Sequence, residues 1–183
     1  SCRLVFDLLK TAGADRIMSV DLHAAQSQGF FDGPVDHLVA MPVLVDYIRD
    51  RFQGHLDNVA VVSPDAGRIR VAEQWAQRLG GGPLAFVHKT RDITRPNQAV
   101  ANRVVGDVAG KDCVLVDDLI DTAGTIAGAC HVLQDAGAKS VTVVATHGVL
   151  SGPAVERLKN CGAREVVLTD TVPIPEEKRW DGL

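Results

Sequence analysis

Short runs of β-branched and aliphatic residues recur along the chain, at 17–20, 59–62, 84–87, 113–116, 141–145 and 166–168. Between them lie longer stretches, at 2–11, 42–52, 66–79, 123–136 and 153–159, where apolar side chains return every three or four positions. Leu44, Ile48 and Phe52 show that spacing, as do Ile69, Ala72, Ala76 and Leu79. Runs of the first kind read as buried strands and stretches of the second kind as amphipathic helices. Their alternation predicts an α/β fold, a parallel sheet with helices on both faces. Three junctions, Ala12-Gly13-Ala14, Ala136-Gly137-Ala138 and Cys161-Gly162-Ala163, repeat one pattern of helix end, glycine cap and new strand. Common turn chemistry and an ancient duplication account for it equally well.

The polar residues are placed as informatively as the apolar ones. Asp21 and His23 follow the first strand, Asp65 the second, Lys89 and Arg91 the third, Asp117 and Asp118 the fourth, His147 the fifth and Asp170 the sixth. Ligands of open parallel sheets bind beyond the carboxyl ends of the strands, so these residues mark the edge to watch. With 46% hydrophobic and 23% charged residues, 183 residues suffice for a sizeable core, which excludes a disordered chain. A net charge of −4 argues against nucleic acid or a membrane surface as partner, and it means that any phosphate ligand needs metal ions or a few well-placed bases. The four cysteines, Cys2, Cys113, Cys130 and Cys161, have no metal-ligand spacing, and three sit in or beside apolar elements. They read as reduced and mostly buried, which points to the cytoplasm. No apolar run approaches membrane length and no signal-peptide pattern is present, although the first residue is Ser.

The densest chemistry lies in Val114-Leu115-Val116-Asp117-Asp118-Leu119-Ile120-Asp121-Thr122-Ala123-Gly124-Thr125. A strand runs into two adjacent carboxylates, then a loop of small residues opens a helix whose Ile126, Ala129, Cys130 and Leu133 keep helical spacing. Backbone N–H groups at such a helix start favour a phosphate, and the hydroxyls of Thr122 and Thr125 add donors. Asp117 and Asp118, acceptors when ionised, suit two vicinal hydroxyls. The pattern describes a sugar phosphate held at both ends; the plainer reading is a helix capped by Asp121 or Thr122 beside a solvated acidic pair.

Three further segments add candidates. His23 stands two positions past Asp21 in a loop rich in polar and aromatic side chains, where it can bind a metal or a nucleotide phosphate, or be merely structural. Asp65, in Ser63-Pro64-Asp65-Ala66-Gly67, is a helix cap or a ligand for hydrated Mg²⁺, with Arg68 and Arg70 adding positive charge nearby. His88-Lys89-Thr90-Arg91-Asp92-Ile93-Thr94-Arg95-Pro96-Asn97 lacks apolar periodicity and reads as an exposed basic loop, either a solvated turn or a flap that neutralises a transferring phosphoryl group.

Together these segments resemble the ribose-phosphate diphosphokinases. Val20-Asp21-Leu22-His23-Ala24, Gln28-Gly29-Phe30-Phe31-Asp32 and Pro34-Val35-Asp36 are close to that family's signature. The Asp117 to Thr125 motif is shared with type I phosphoribosyltransferases, and the Asp21 to Asp36 segment with Lys89-Thr90-Arg91 separates the two groups. The resemblance implies a type I phosphoribosyltransferase-like fold and transfer of the β,γ-diphosphoryl group of ATP to the anomeric hydroxyl of ribose 5-phosphate, with Mg²⁺. It implies metal-associated roles for His23 and Asp65, a catalytic role for Lys89, and phosphate binding by Arg91. Asp117 and Asp118 would take the ribose hydroxyls, and Asp121, Thr122, Ala123, Gly124 and Thr125 the 5-phosphate. It further implies hexamers of two-domain subunits, with residues 1–33 the remnant of an N-terminal domain and 34–183 most of the C-terminal one, upstream ATP-binding loops and the last helices lying beyond the chain's ends. Arg68 stands where members commonly carry a second glycine, and Ser27 where a branched apolar residue is usual. Two other readings stay open: a catalytically silent synthetase-like regulatory subunit, and a phosphoribosyltransferase or sugar-phosphate-binding module that needs no ATP.

Overall fold

The computed structural model of the chain describes residues 2–90 and 101–183. Two compact units divide after Pro42, Ser1–Pro42 and Val43–Leu183.

The first unit is built from α1 (Cys2–Thr11), β1 (Ile17–Val20), a 3₁₀ turn (Ala25–Phe30) and β2 (Val35–Leu38). Gly13, at φ 100°, ends α1 in the left-handed conformation that a side chain disfavours, and Ala14 N–H donates back to Leu9 O. Phe6 is the residue that α1 buries, against Phe31 at 6.1 Å between ring centroids. Leu4, Val5 and Leu8 stay more than half exposed. β1 pairs with β2 in parallel, Ile17 opposite Val35. One expectation is thereby corrected. Residues 17–20 form a strand outside the large sheet, and their partner escaped notice because Val35-Asp36-His37-Leu38 has two polar residues at its centre. The pairing with β2 holds residues 35–38 in the first unit, which ends at Pro42.

In chain order the remaining elements are α2 (Met41–Arg51), β3 (Val59–Ser63), a 3₁₀ turn (Ala66–Arg68), α3 (Ile69–Arg78), β4 (Leu84–Thr90), β5 (Ala101–Val105), β6 (Asp112–Ile120), α4 (Gly124–Asp135), β7 (Ser140–Gly148), α5 (Ala154–Asn160) and β8 (Glu165–Leu168). The six-stranded sheet of the second unit has the order β5-β4-β3-β6-β7-β8. All pairs are parallel except β4 with β5. The sheet is therefore mixed, not wholly parallel: β5 closes an antiparallel hairpin on β4, pairing Lys89 with Asn102. For that reason His88, Lys89 and Thr90 belong to a strand, where an exposed loop was expected.

Burial follows strand alternation. Ala60, Val62, Cys113, Leu115, Val141, Val143 and Ala145 pack with Ile126, Ala129, Cys130 and Leu133 of α4 and with Ala154 and Leu158 of α5. The intervening Val59, Val61, Val114, Val116 and Val144 are also buried, on the side where α3 runs along β3 and β4 and buries Ala72, Trp75 and Ala76. Strands covered on both faces need apolar residues at successive positions, which is why their sequences read as continuous runs. Cys113, Cys130 and Cys161 are buried free thiols and Cys2 is exposed. Among the described residues no helix is long and apolar enough to cross a membrane.

Candidate functional site

β6 is central in its sheet, between β3 and β7, and it continues past its apolar stretch to Ile120, so that Asp117 and Asp118 are strand residues. Beyond it, Asp121 and Thr122 are exposed and Ala123 is buried. Ala123 occupies the N-cap position of α4 at φ 59° and ψ 11°, a left-handed conformation that costs a non-glycine residue about 1–2 kcal/mol. Alanine at the N-cap has no side chain with which to cap the helix, and among the described residues neither the Asp121 nor the Thr122 side chain makes a hydrogen bond to its start. The backbone N–H groups that begin an α-helix have no intrahelical acceptor, and a helix start of this kind suits an anion.

The loop is held from two sides. Ser151 N–H donates to Asp121 O at 2.9 Å, and Arg157 Nη1, from α5, donates to Thr122 O at 2.9 Å. Gly124 admits this approach, since a Cβ there would meet Arg157 Nη1 at 3.4 Å. Arg157 was missed in the sequence because nothing local ties it to a loop 35 residues away. Its periodic position in α5 looks like an ordinary exposed face.

The two carboxylates lie under one guanidinium. Arg68, from the turn before α3, donates through Nη2 to Asp118 Oδ2, and its Nε lies 3.9 Å from Asp117 Oδ1. Asp118 N–H donates to Asp117 Oδ1 at 2.9 Å. Burial, followed by the side-chain hydrogen bond with Asp118, pushes the Asp117 carboxyl up to about 7, against the opposing pull of the Asp118 N–H and of Arg68. The residue expected only to add positive charge is thus in direct contact with both acids.

Asp65 caps the 3₁₀ turn through Oδ1, which accepts from Gly67 N–H at 2.8 Å, and the buried Ser63 Oγ donates to Asp65 O at 2.6 Å. Its other carboxylate oxygen accepts no hydrogen bond among the described residues. A half-buried carboxylate with one oxygen unengaged fits a hydrated hard cation, which needs only one or two protein carboxylates when substrate phosphates complete its shell. Among the described residues no three His, Cys, Asp or Glu side chains cluster as a preformed metal cage.

The second unit therefore brings together Asp117, Asp118 and the residues 121–125, with Arg68 and Arg157 added. Lys89 is the last residue but one of β4, and Arg91 lies outside the described residues. His23 belongs to the first unit, where it is exposed. Its neighbours there are fixed: Asp21, at φ 43°, accepts Ala40 N–H through Oδ2 at 3.1 Å, and Leu22 N–H donates to His37 Nε2 at 2.9 Å. A cavity of about 760 Å³ along β8, lined by Tyr47, Arg51, Glu165 and Ile174 among others, takes in Asp170 but none of the residues assigned to the sugar phosphate or the metal.

Over all 183 residues the chain is 65% identical to a ribose-phosphate pyrophosphokinase of Corynebacterium efficiens, of which it covers 55%. Over its whole length the chain is similar to ribose-phosphate pyrophosphokinases. It spans little more than half the length of the curated relatives it matches. The crystal structure of phosphoribosylpyrophosphate synthetase from Mycobacterium smegmatis superposes with a TM-score of 0.91 at 60% identity, over 100% of this chain and 57% of that one. Residues 92–180 match the model of the phosphoribosyl synthetase-associated domain. An orotate phosphoribosyltransferase from Aeropyrum pernix is more distant, with a TM-score of 0.53 at 27% identity over 71% of this chain and 72% of that one. The similarity to ribose-phosphate pyrophosphokinases and this likeness agree with the type I phosphoribosyltransferase-like fold expected from the sequence.

Proposed function

We propose that the protein to which these residues belong transfers the diphosphoryl group of ATP to the C1 hydroxyl of ribose 5-phosphate, giving phosphoribosyl diphosphate and AMP. The observation that carries this reading is the β6–α4 corner, where a helix start with alanine at its N-cap stands directly after a pair of carboxylates bridged by Arg68, in a chain similar to ribose-phosphate pyrophosphokinases. The 5-phosphate takes the N–H groups around Ala123, Gly124 and Thr125, and Asp117 and Asp118 accept from the vicinal ribose hydroxyls. The C1 oxygen then forms a bond to the β-phosphorus of ATP while the bond from that phosphorus to the bridging α–β oxygen breaks, and the oxygen leaves with AMP. Such a transfer asks the protein for in-line placement and charge neutralisation, with no covalent intermediate on a side chain.

In this reading Lys89 is the catalytic cation and Arg91 binds phosphate. Asp65 and His23 are associated with Mg²⁺, which when bound neutralises the charge of the substrate phosphates. The likeness to whole relatives supports assembly with further copies, a hexamer by resemblance. The exposed Leu4, Val5 and Leu8 of α1 supply apolar surface to cover. The three buried free thiols support residence in the reducing cytoplasm.

The test is AMP formation by the protein extended to the length of its relatives, with ATP and ribose 5-phosphate supplied together or singly. AMP should appear only with both, and Lys89→Ala should lower turnover far more than ribose 5-phosphate affinity. AMP release without the sugar phosphate, or consumption of phosphoribosyl diphosphate with a nucleobase and no ATP, would overturn the assignment.

A further inference from the structure

Adjacent residues of a β-strand point to opposite faces of the sheet, so consecutive acids do not converge on one ligand by default. Asp117 and Asp118 are consecutive in β6, and yet one side chain reaches both. Arg68 pairs with Asp118 through Nη2, and its Nε is 3.9 Å from Asp117 Oδ1. The three side chains are only 14–18% exposed. A guanidinium is a rigid planar fork that can hold two acceptors in a fixed relation, which a lysine ammonium cannot do. The Asp118 N–H, donated to Asp117 Oδ1 at 2.9 Å, fixes the second edge of the arrangement.

We propose that Arg68 is a positioning residue for sugar recognition: by bridging Asp117 and Asp118 it turns both carboxylates to one side, so that they accept two vicinal hydroxyls of a pentose phosphate at once. This rests on the sugar-phosphate reading of the β6–α4 corner and names the residue that sets its selectivity. Arg68 does not touch the transferred group. It acts through the acids, and its removal loosens them while leaving the backbone cradle intact, since that cradle is held by Ser151 and Arg157.

The experiment is calorimetric titration of the chain, as wild type, Arg68→Gln and Arg68→Lys, with ribose 5-phosphate, 2-deoxyribose 5-phosphate and inorganic phosphate, each variant first shown to melt cooperatively. A lost hydrogen bond to a charged acceptor corresponds to about 10-fold or more in affinity, so the wild type should prefer ribose 5-phosphate over the deoxy compound by about that factor. Arg68→Gln should shrink the preference to within about threefold, by weakening ribose 5-phosphate while 2-deoxyribose 5-phosphate and phosphate hold their affinities. Arg68→Lys should fall between. An undiminished preference in Arg68→Gln overturns the proposal, as does tighter ribose 5-phosphate binding, which would make Arg68 a competitor of the sugar. Should Arg68→Gln fail to fold, Arg68→Lys decides, and a full wild-type preference there overturns it. A wild type without any preference for the 2-hydroxyl is a different result: it removes the sugar-phosphate reading itself, and the role of Arg68 with it.

Discussion

Pentose phosphate binding should be coupled to loss of a proton from Asp117. Its carboxyl is pushed up to about 7, first by burial and then by the neighbouring Asp118 side chain, with the Asp118 N–H and Arg68 pulling the other way. A protonated Asp117 has one acceptor site fewer for a sugar hydroxyl, so affinity should follow its ionised fraction. With a midpoint near 7, that fraction climbs from about one tenth at pH 6 to about nine tenths at pH 8, a gain of about 10-fold in affinity, or about 1.4 kcal/mol. The phosphate of the ligand itself titrates near pH 6 and adds to the low-pH side, so the variant Asp117→Asn is the necessary comparison. Calorimetry of ribose 5-phosphate binding at pH 6, 7 and 8, in buffers of unlike ionisation enthalpy, reads both affinity and protons released. The wild type should release more protons near pH 7 than Asp117→Asn, and its affinity should climb more steeply above pH 6.5. Equal proton release and equal pH slopes in the two proteins would refute the reasoning.

The same shift has a consequence for stability, with the opposite sign to that of most paired acids. A carboxyl whose folded pKa exceeds its unfolded value binds its proton more tightly when folded, so its stabilising contribution is fully present below the unfolded pKa of 3.8 and is lost as pH rises through about 7. Asp117→Asn should therefore stabilise the second unit more at pH 8 than at pH 4. Replacing Ala123 by Val puts a β-branched side chain at φ 59°, and urea denaturation should show a loss of about 2 kcal/mol or more together with loss of phosphate binding. Gly106→Ala should also destabilise, since a Cβ there meets Ala85 Cβ and Leu84 O at 2.7 Å and the backbone sits at φ 116°; a variant that expresses and melts like wild type would contradict the packing of β4 on the chain after β5. Thr142 on β7 is fully buried and its hydroxyl has no hydrogen-bond partner among the described residues, so Thr142→Val, nearly the same shape without the polar atom, should raise the denaturation midpoint by an amount equivalent to about 1 kcal/mol.

How far the sequence disclosed this molecule depended on the range over which each feature is encoded. α1 occupies the predicted residues 2–11, and the periodic Ile126, Ala129, Cys130 and Leu133 of α4 are buried, because a helix face is written within a few turns. The buried strands β3, β6 and β7 were likewise visible as apolar runs. Sheet membership was not: nothing within residues 17–20 says that their partner is β2 and not the large sheet. β5 was hidden because Ala101-Asn102-Arg103 offers no apolar alternation, and its strand character comes from the hydrogen bonds of β4. Among the candidates, Asp65, Asp117, Asp118 and the residues 121–125 could be nominated from the sequence because each motif is contiguous. The Arg68–Asp118 pair spans 50 residues and depends on β3 lying beside β6, a fact of strand order alone.

That strand order also explains how the loop after β6 can keep a costly conformation. β6 and β7 stay in register as far as Ile120 and Gly148, which brings the chain after β7 alongside the loop after β6. From there Val149 and Leu150 donate to Ile120 O at 3.0 and 3.1 Å, Ser151 donates to Asp121 O, and α5 sends Arg157 to Thr122 O. With the carbonyls of three successive residues fixed, Ala123 has little freedom to leave the left-handed region, and the strain of about 1–2 kcal/mol is held by the surrounding bonds. A capping side chain would relieve the helix start but would occupy the N–H groups that a phosphate needs. The loop thus accepts local strain and places at the N-cap a residue with no capping side chain, and both suit a surface shaped for an anion rather than for its own stability. Arg157→Ala, which removes one of these bonds without touching the N–H groups, should then weaken inorganic phosphate binding several-fold while shifting thermal stability little. Unchanged phosphate affinity in that variant would mean that the loop is held by the β7 side alone.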